Sequence, residues 1–280
     1  MIEDKTVLDE WYALAEPRQI SAGQIFETRL LGQRVELGRN ADGTYLARAG
    51  EVALLPPVER FGMVWGTLGQ APKPFFHFPE FDEPDRTICN PGSFGVSVSG
   101  LRLIENFLDM GHFPFVHAGY LGEEPFTEVE PYQVRIDHER DEVVATECRF
   151  YQPRAAASAG KGDDVQYIYR AVKPFAAILL KTCPLAKDRF DALALFVQPV
   201  SEDECVAHTM MAYIDATSRP SDLRIFQQTI FAQDRPILQN QVPRRLPLDH
   251  QLEIPARVDA TSVLYRRWLR DKGVTYGTYR

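Results

Sequence analysis

The stretch ENFLDMGHFPFVH, residues 105–117, sets two histidines and two acids among apolar side chains, and the rest of the chain is organised around it. On an ideal helix, residues five apart stand about 140° apart around the axis, so His112 and His117 do not converge on a regular turn. Pro114 lies between them and lacks a backbone donor, which predicts a broken or bent helix. A bend where helix gives way to loop brings both imidazoles to one point. Asp109 and His112 face each other as i, i+3 neighbours. The stretch is a candidate mononuclear metal site; the alternative is a pair of hydrogen-bonded histidines near a helix end.

A further carboxylate stands far along the chain. In DLRIFQQTIFAQDRPILQNQ (222–241), Phe226, Ile230, Asp234, Leu238 and Gln241 fall on one stripe at helical spacing. An acid on an apolar stripe carries a desolvation cost unless a cation, a metal or hydrogen bonds offset it. The alternative is pairing with Arg235 or Arg244. Two histidines and one carboxylate form the facial set of non-heme Fe(II) oxygenases, which leaves coordination positions open for oxygen. A zinc hydrolase uses similar ligands, but no general base stands apart for that work.

Strands surround these segments. QIFETRLL, QRVELG and RNADGTY (24–45) read as an antiparallel meander with an Asp-Gly turn, EVALLPPVERF as a Pro-interrupted connector and GMVWGTLG as another strand. QAPKPFFHFPEFDEPD (70–85) is too broken by proline for a regular element and reads as an ordered wrap-around loop. FGVSVSG (94–100) leads into helical LRLIENFLDM. From residue 132 onward come YQVRIDHE, a tight turn near Arg140–Asp141, EVVATECRFY, VQYIYRAV, FAAILLKTC, FDALALFVQPV and CVAHTMMAYI, all strand-like. The polar run at 152–164 is either a lid or disordered. Helices over 221–241 and 257–272 close the chain. Strands followed by helices predict an α+β class, a curved antiparallel sheet gripping helices.

Composition bounds the function. With 45% hydrophobic and 25% charged residues and no run able to span a bilayer, the chain is an ordinary globular protein with no expected membrane association. A formal charge of −8 argues against nucleic acid. RRWLRDK (266–272) reads first as a solvated helix face and second as a docking patch. The acidic N-terminus lacks the pattern of an export signal, and Cys89, Cys148, Cys183 and Cys205 are widely spaced, so a reducing cytoplasm is expected. With no C-x-x-C and no Cys-x-His, no iron–sulfur cluster is expected in this chain.

ENFLDMGHFPFVH resembles the iron motif of Rieske non-heme iron oxygenases, and FAQDRPILQNQ (231–241) is similar to the segment that supplies their carboxylate ligand. The resemblance covers almost the whole chain. WYALAEPRQISAGQIFETRLLGQRVEL and DGTYLA are similar to the opening of the family's Rieske domain, and ERFGMVWGTLG to its close. Between Ala47 and Val52 the two cluster-binding loops are missing. The resemblance implies a remnant of the Rieske-type β-domain over 1–70 and a catalytic mononuclear iron domain over 71–280. It implies that His112, His117 and Asp234 hold Fe(II). Asp109 matches the acid that bridges an iron-ligating histidine to a neighbouring Rieske cluster, and Asn106 a residue near the iron. With no cluster here, a partner must bring one.

Shortened members of this kind occur among bacterial methylxanthine N-demethylases, oxidoreductases of caffeine degradation. The expected reaction is monooxygenation of an N-methyl group, 7-methylxanthine giving xanthine and formaldehyde. The expected partners are a Rieske-containing reductase carrying NADH, FMN and [2Fe–2S] chemistry, and a scaffold resembling glutathione transferase. By analogy the assembly is a homotrimer within a larger complex. The substrate is small, planar and aromatic, so Gln233, Asn240 and Gln241 are candidate contacts, with Phe113, Phe115 and Phe175 as candidate lining. Rival readings are an O-demethylase or hydroxylase of another aromatic substrate, a hydrophobic-ligand carrier, and a silent structural subunit.

Overall fold

The computed structural model describes residues 3–157, 161–249 and 251–279. After a single helical turn, α1 (Lys5–Leu8), two small antiparallel sheets form. One orders β1 (Tyr12–Ala15), β7 (Met63–Gly66) and β6 (Val58–Arg60); the other is the meander β2 (Phe26–Leu30), β3 (Gln33–Arg39), β4 (Tyr45–Ala49) and β5 (Val52–Ala53). The Pro-interrupted connector thus contributes two short strands. Residues 70–85 stay irregular except for one 3₁₀ turn, and they deliver Phe76 and Phe78 to the interior.

The main body is a seven-stranded antiparallel sheet. Its strands are β8 (Thr87–Val96), β9 (Gln133–Asp137), β10 (Glu142–Gln152), β11 (Asp163–Lys173), β12 (Ala176–Cys183), β13 (Ala186–Pro199) and β14 (Cys205–Tyr213), in the order β8-β14-β13-β12-β11-β10-β9. Successive residues point to opposite faces of a strand. Ala177, Leu179, Leu193, Leu195, Ala207 and Met211 pack in one cluster with the helices, whereas Ala176, Ile178, Ala194, Phe196, Met210 and Ala212 pack with Phe61, Trp65, Phe76 and Phe78. With both faces covered, the central strands read as nearly unbroken apolar runs. β8 begins earlier than expected because Pro91, which cannot donate to a ladder, is tolerated on an edge strand.

The helices are α2 (Gly100–Leu108), α3 (Phe113–Val116), α4 (Pro220–Gln239) and α5 (Ala260–Asp271). Ser99 caps α2 by accepting the Arg102 N–H, and Pro220 opens α4. α4 runs on through Pro236 to Gln239, and the longer helix is anchored by buried Phe226, Ile230 and Leu238.

The expected helix 101–110 ends earlier, at Leu108, and Pro114 is not the cause. Asp109 leaves helical conformation (φ −90°, ψ 137°) and its carboxylate accepts the N–H groups of Gly111 (2.9 Å) and His112 (3.1 Å). A short acid offering local acceptors competes with the helix for its backbone donors. Pro114 instead sits in the first turn of α3, where its missing donor costs nothing.

In the basic run at 266–272, Arg267 and Arg270 are exposed as a solvated face requires, but Arg266 departs from it. Arg266 turns inward, its Nε 2.5 Å from Glu105 Oε1 and its Nη2 2.6 Å from Glu253 Oε2. Arg102 completes a neutral quartet with the same two acids and fastens α2 to α5. Residues 158–160, in the middle of the 152–164 run read as lid or disorder, lie outside the described residues. Among the described residues no helix is long and apolar enough to cross a membrane.

Candidate metal centre

His112 and His117 bracket the single turn α3, and that spacing turns their rings toward each other, Nε2 to Nε2 3.2 Å. From α4, Asp234 places Oδ1 3.4 Å from His112 Nε2 and 3.1 Å from His117 Nε2. Arg235 and Arg244, its alternative partners, are exposed.

The other edge of each ring fixes which nitrogen carries the proton. His112 Nδ1–H donates to Asp109 Oδ2 at 2.7 Å, and His117 Nδ1–H donates to Gln233 Oε1 at 2.9 Å. Both protons are thereby used, and both Nε2 lone pairs face the Asp234 oxygen. That oxygen is buried and has no hydrogen-bond partner. Three electron-rich atoms gathered this closely are stable only around a cation or a proton.

A metal ion fits. Bonds of about 2.1 Å put ligand atoms ~3.0 Å apart on an octahedral face and ~3.4 Å apart in a tetrahedron. The observed sides of 3.1, 3.2 and 3.4 Å match that range. The donor set, two imidazoles and a carboxylate, suits ferrous iron with positions left open. Without a cation, a proton substitutes. Burial pulls the His112 imidazolium down, but Asp109 and Asp234 outweigh it and lift the group to about 9. Burial works to raise Asp234, yet the two histidines hold it below the usual carboxylate range. Asp109 is likewise held low against burial, by His112 and by the Gly111 and His112 N–H groups.

Two cavities meet at His112 and Asn106. The inner one, about 70 Å³, reaches both histidines and Asp234, and its wall is mainly apolar, with Leu103, Phe107, Leu179 and Leu195 among its residues. The outer one, about 450 Å³, has Asp109, Glu105 and Arg266 in its wall and exposed Ile237, Val242, Ile254 and Val263 along it.

The residues expected at the site are distributed unevenly. Asn106 lies in both cavity walls and Phe113 in the inner one. Gln233 stands behind His117 with its carbonyl already engaged, so it orients a ring. Gln241 lines the outer cavity with its Oε1 buried and unpartnered. Asn240 is exposed and bonded back to Pro236 O, Phe115 is exposed, and Phe175 packs in the core against Tyr12. Sequence reasoning misses Tyr169, Thr209 and Gln227, which also line the inner cavity. Strand alternation puts Tyr169 on the helix-covered face but does not reveal what lies opposite.

A sheet covered by helices, with two imidazoles and a carboxylate converging beside an apolar cavity, defines a mononuclear non-heme metal domain. Residues 96–273 match the Vanillate O-demethylase oxygenase C-terminal domain family. The chain is 47% identical over 279 residues, 99% of each chain, to a probable methylxanthine N7-demethylase, NdmC, of Pseudomonas sp. (strain TJI-51). It is 27% identical over 219 residues to the methylxanthine N1-demethylase NdmA of Pseudomonas putida, covering 76% of this chain and 59% of that protein. Its fold is similar to NdmA of Pseudomonas putida CBB5 with caffeine (TM-score 0.77, 18% identity, 97% of this chain and 93% of that one). It is also similar to dicamba monooxygenase bound to dicamba (TM-score 0.74, 16% identity, 95% and 97%). The chain belongs to the Rieske non-heme iron oxygenase family.

Proposed function

We propose that this chain is the oxygenase component of a methylxanthine N-demethylase, hydroxylating the N7-methyl group of 7-methylxanthine to yield xanthine and formaldehyde. The observation that carries the reading is the convergence of His112 Nε2, His117 Nε2 and the buried Asp234 Oδ1 within 3.1 to 3.4 Å of one another. The 47% identity to a probable N7-demethylase supports the choice of substrate.

His112, His117 and Asp234 would hold ferrous iron, which would supply what side chains lack, the activation of oxygen. The protein's own residues act by position. Asp109 and Gln233 hold the rings in the tautomer that presents Nε2. The apolar inner wall excludes water and takes the flat ring. At about 70 Å³ this space is far below the ~300 Å³ of a typical ligand site, so the wall opens as substrate enters. Leu121 is the wall residue, ligands aside, that lies outside any helix or strand.

One oxygen atom enters a methyl C–H bond as hydroxyl; the other leaves as water with two protons and two electrons. The N–CH2OH product then breaks its C–N bond to release formaldehyde and the ring N–H. The electrons come from NADH through a partner reductase bearing FMN and a Rieske [2Fe–2S] cluster. That partner seats over the outer cavity, where Asp109 links its surface to His112. In this reading residues 1–70 are what remains of a cluster-carrying domain, and 71–280 form the catalytic domain, its sheet curved around the helices. Three copies assemble in the cytoplasm into a ring, with a scaffold protein resembling glutathione transferase.

The test is formaldehyde release from 7-methylxanthine by anaerobically iron-loaded protein. Release is expected with a Rieske-bearing reductase. Equal release with a donor lacking the Rieske group, or failure to retain ferrous ion, overturns the reading.

A further inference from the structure

We infer that Tyr169 is a specificity-determining residue of the inner cavity, its phenolic O–H donating to a ring carbonyl oxygen of the substrate. The identity of that ligand rests on the proposed function; the position of the donor does not. Tyr169 is 1% exposed, lies on β11 and forms part of the inner wall. Its hydroxyl is buried with no hydrogen-bond partner among the described residues. Another hydroxyl of that wall is already engaged, since Thr209 Oγ1 donates to Gly92 O. Burial, reinforced by Tyr167 and Cys148, pushes the Tyr169 phenol well above its ordinary value, so the group stays protonated and able to donate.

A buried hydroxyl with nothing to bond destabilises the protein that carries it, and phenylalanine would fill the same space without that cost. Tyr167 shares that cost, but Tyr169 also lines the cavity, where an arriving acceptor can offset it. A flat heterocycle with ring carbonyls brings two apolar faces for Leu179, Leu195 and Phe107 and an acceptor for Tyr169. Phe107 already stands edge-on to Tyr169, ring centroids 6.4 Å apart.

The same strand contains a control. Tyr167 is 2% exposed, stacks on Tyr169 with centroids 5.9 Å apart, and also has an unpartnered hydroxyl, yet it does not line the cavity. The experiment measures binding by calorimetry to iron-loaded protein without oxygen or electron donor. The probes are 7-methylxanthine and 7-methylpurine, which keeps the methyl group but has no ring carbonyl. Tyr169→Phe is expected to weaken 7-methylxanthine about tenfold, leave 7-methylpurine within about twofold, and leave the ligand-free Tm unchanged or raised. Tyr167→Phe is expected to change neither affinity. Wild-type affinity in Tyr169→Phe, or equal loss of both probes, overturns the assignment alone. If the unmodified protein binds no methylxanthine, the proposed function falls and the assignment falls with it.

Discussion

The two cavities that meet at His112 differ in nearly every physical respect. The inner one is small, walled mainly by hydrocarbon and in contact with the convergent nitrogen and oxygen atoms. The outer one is several times larger, has ionised groups in its wall and a rim of exposed apolar side chains. Asp109, the hydrogen-bond partner of His112 Nδ1, lies in the outer wall and not the inner one. A closed apolar space protects chemistry from water; an open hollow with a greasy rim suits a protein surface. Under the proposed function substrate and electrons reach one centre through different walls, so changes on either side should separate in their effects.

Asp109→Ala breaks the comparison most sharply. The metal should stay bound, because three ligands remain, while coupled turnover falls at least about a hundredfold and substrate affinity is unchanged. Anaerobic metal analysis, calorimetry and formaldehyde release check these three points. A variant with unaltered coupled rate would mean that the outer side has no part in electron entry. Gln233→Leu acts behind the other ligand. It strands a buried His117 N–H and frees the ring to turn, so metal affinity should fall about ten- to a hundredfold. Competition with a chelator measures it. Loss of substrate binding with metal affinity intact would put Gln233 back among the substrate contacts.

Much of this site is legible in the order of residues. That His112 and His117 cannot converge on one regular helix, and that an acid interrupts the stripe Phe226–Ile230–Leu238, follow from helical geometry and desolvation alone. The alternation of β12 to β14 separates the two faces of the sheet. What stays hidden depends on where distant segments meet. Asp109 ends α2 because its carboxylate can reach two nearby N–H groups, a local competition that periodicity does not register. Arg266 reads as solvated because its partners, Glu105 and Glu253, are 161 and 13 residues away. Gln233 reads as a substrate contact because its acceptor role needs His117, 116 residues earlier. Tyr169 shows its face of the strand and not the cavity beyond it.

Protonation sharpens the comparison further, because His112 belongs to both walls. In metal-free protein its imidazolium, lifted to about 9, holds a proton throughout the neutral range. A cation must displace that proton, so affinity should rise with pH, about tenfold per unit between roughly pH 6 and 8, and level off above the His112 value. Binding of Co²⁺ at several pH values reads the slope, and proton release on binding reads the stoichiometry. In Asp109→Ala one of the two acids that raise His112 is gone, so levelling should begin at lower pH. A flat profile in the unaltered protein would mean that no proton occupies the site.

The smallest expected effect lies furthest from the metal. Ile254 and Val242 are 97% and 90% exposed at the rim of the outer cavity, and neither supports the core. Ile254→Asp should therefore leave Tm, metal content and substrate affinity unchanged. Placing a charge on an apolar rim removes contact area and adds a desolvation cost at the moment of docking. The apparent KM for the reductase should rise about three- to tenfold while the rate at saturating reductase changes little. Val242→Asp should act alike, and the two together should weaken docking further. If both variants behave as the parent with the reductase yet alter affinity for 7-methylxanthine, the two walls have been assigned the wrong way round, and the larger cavity is the one that admits substrate.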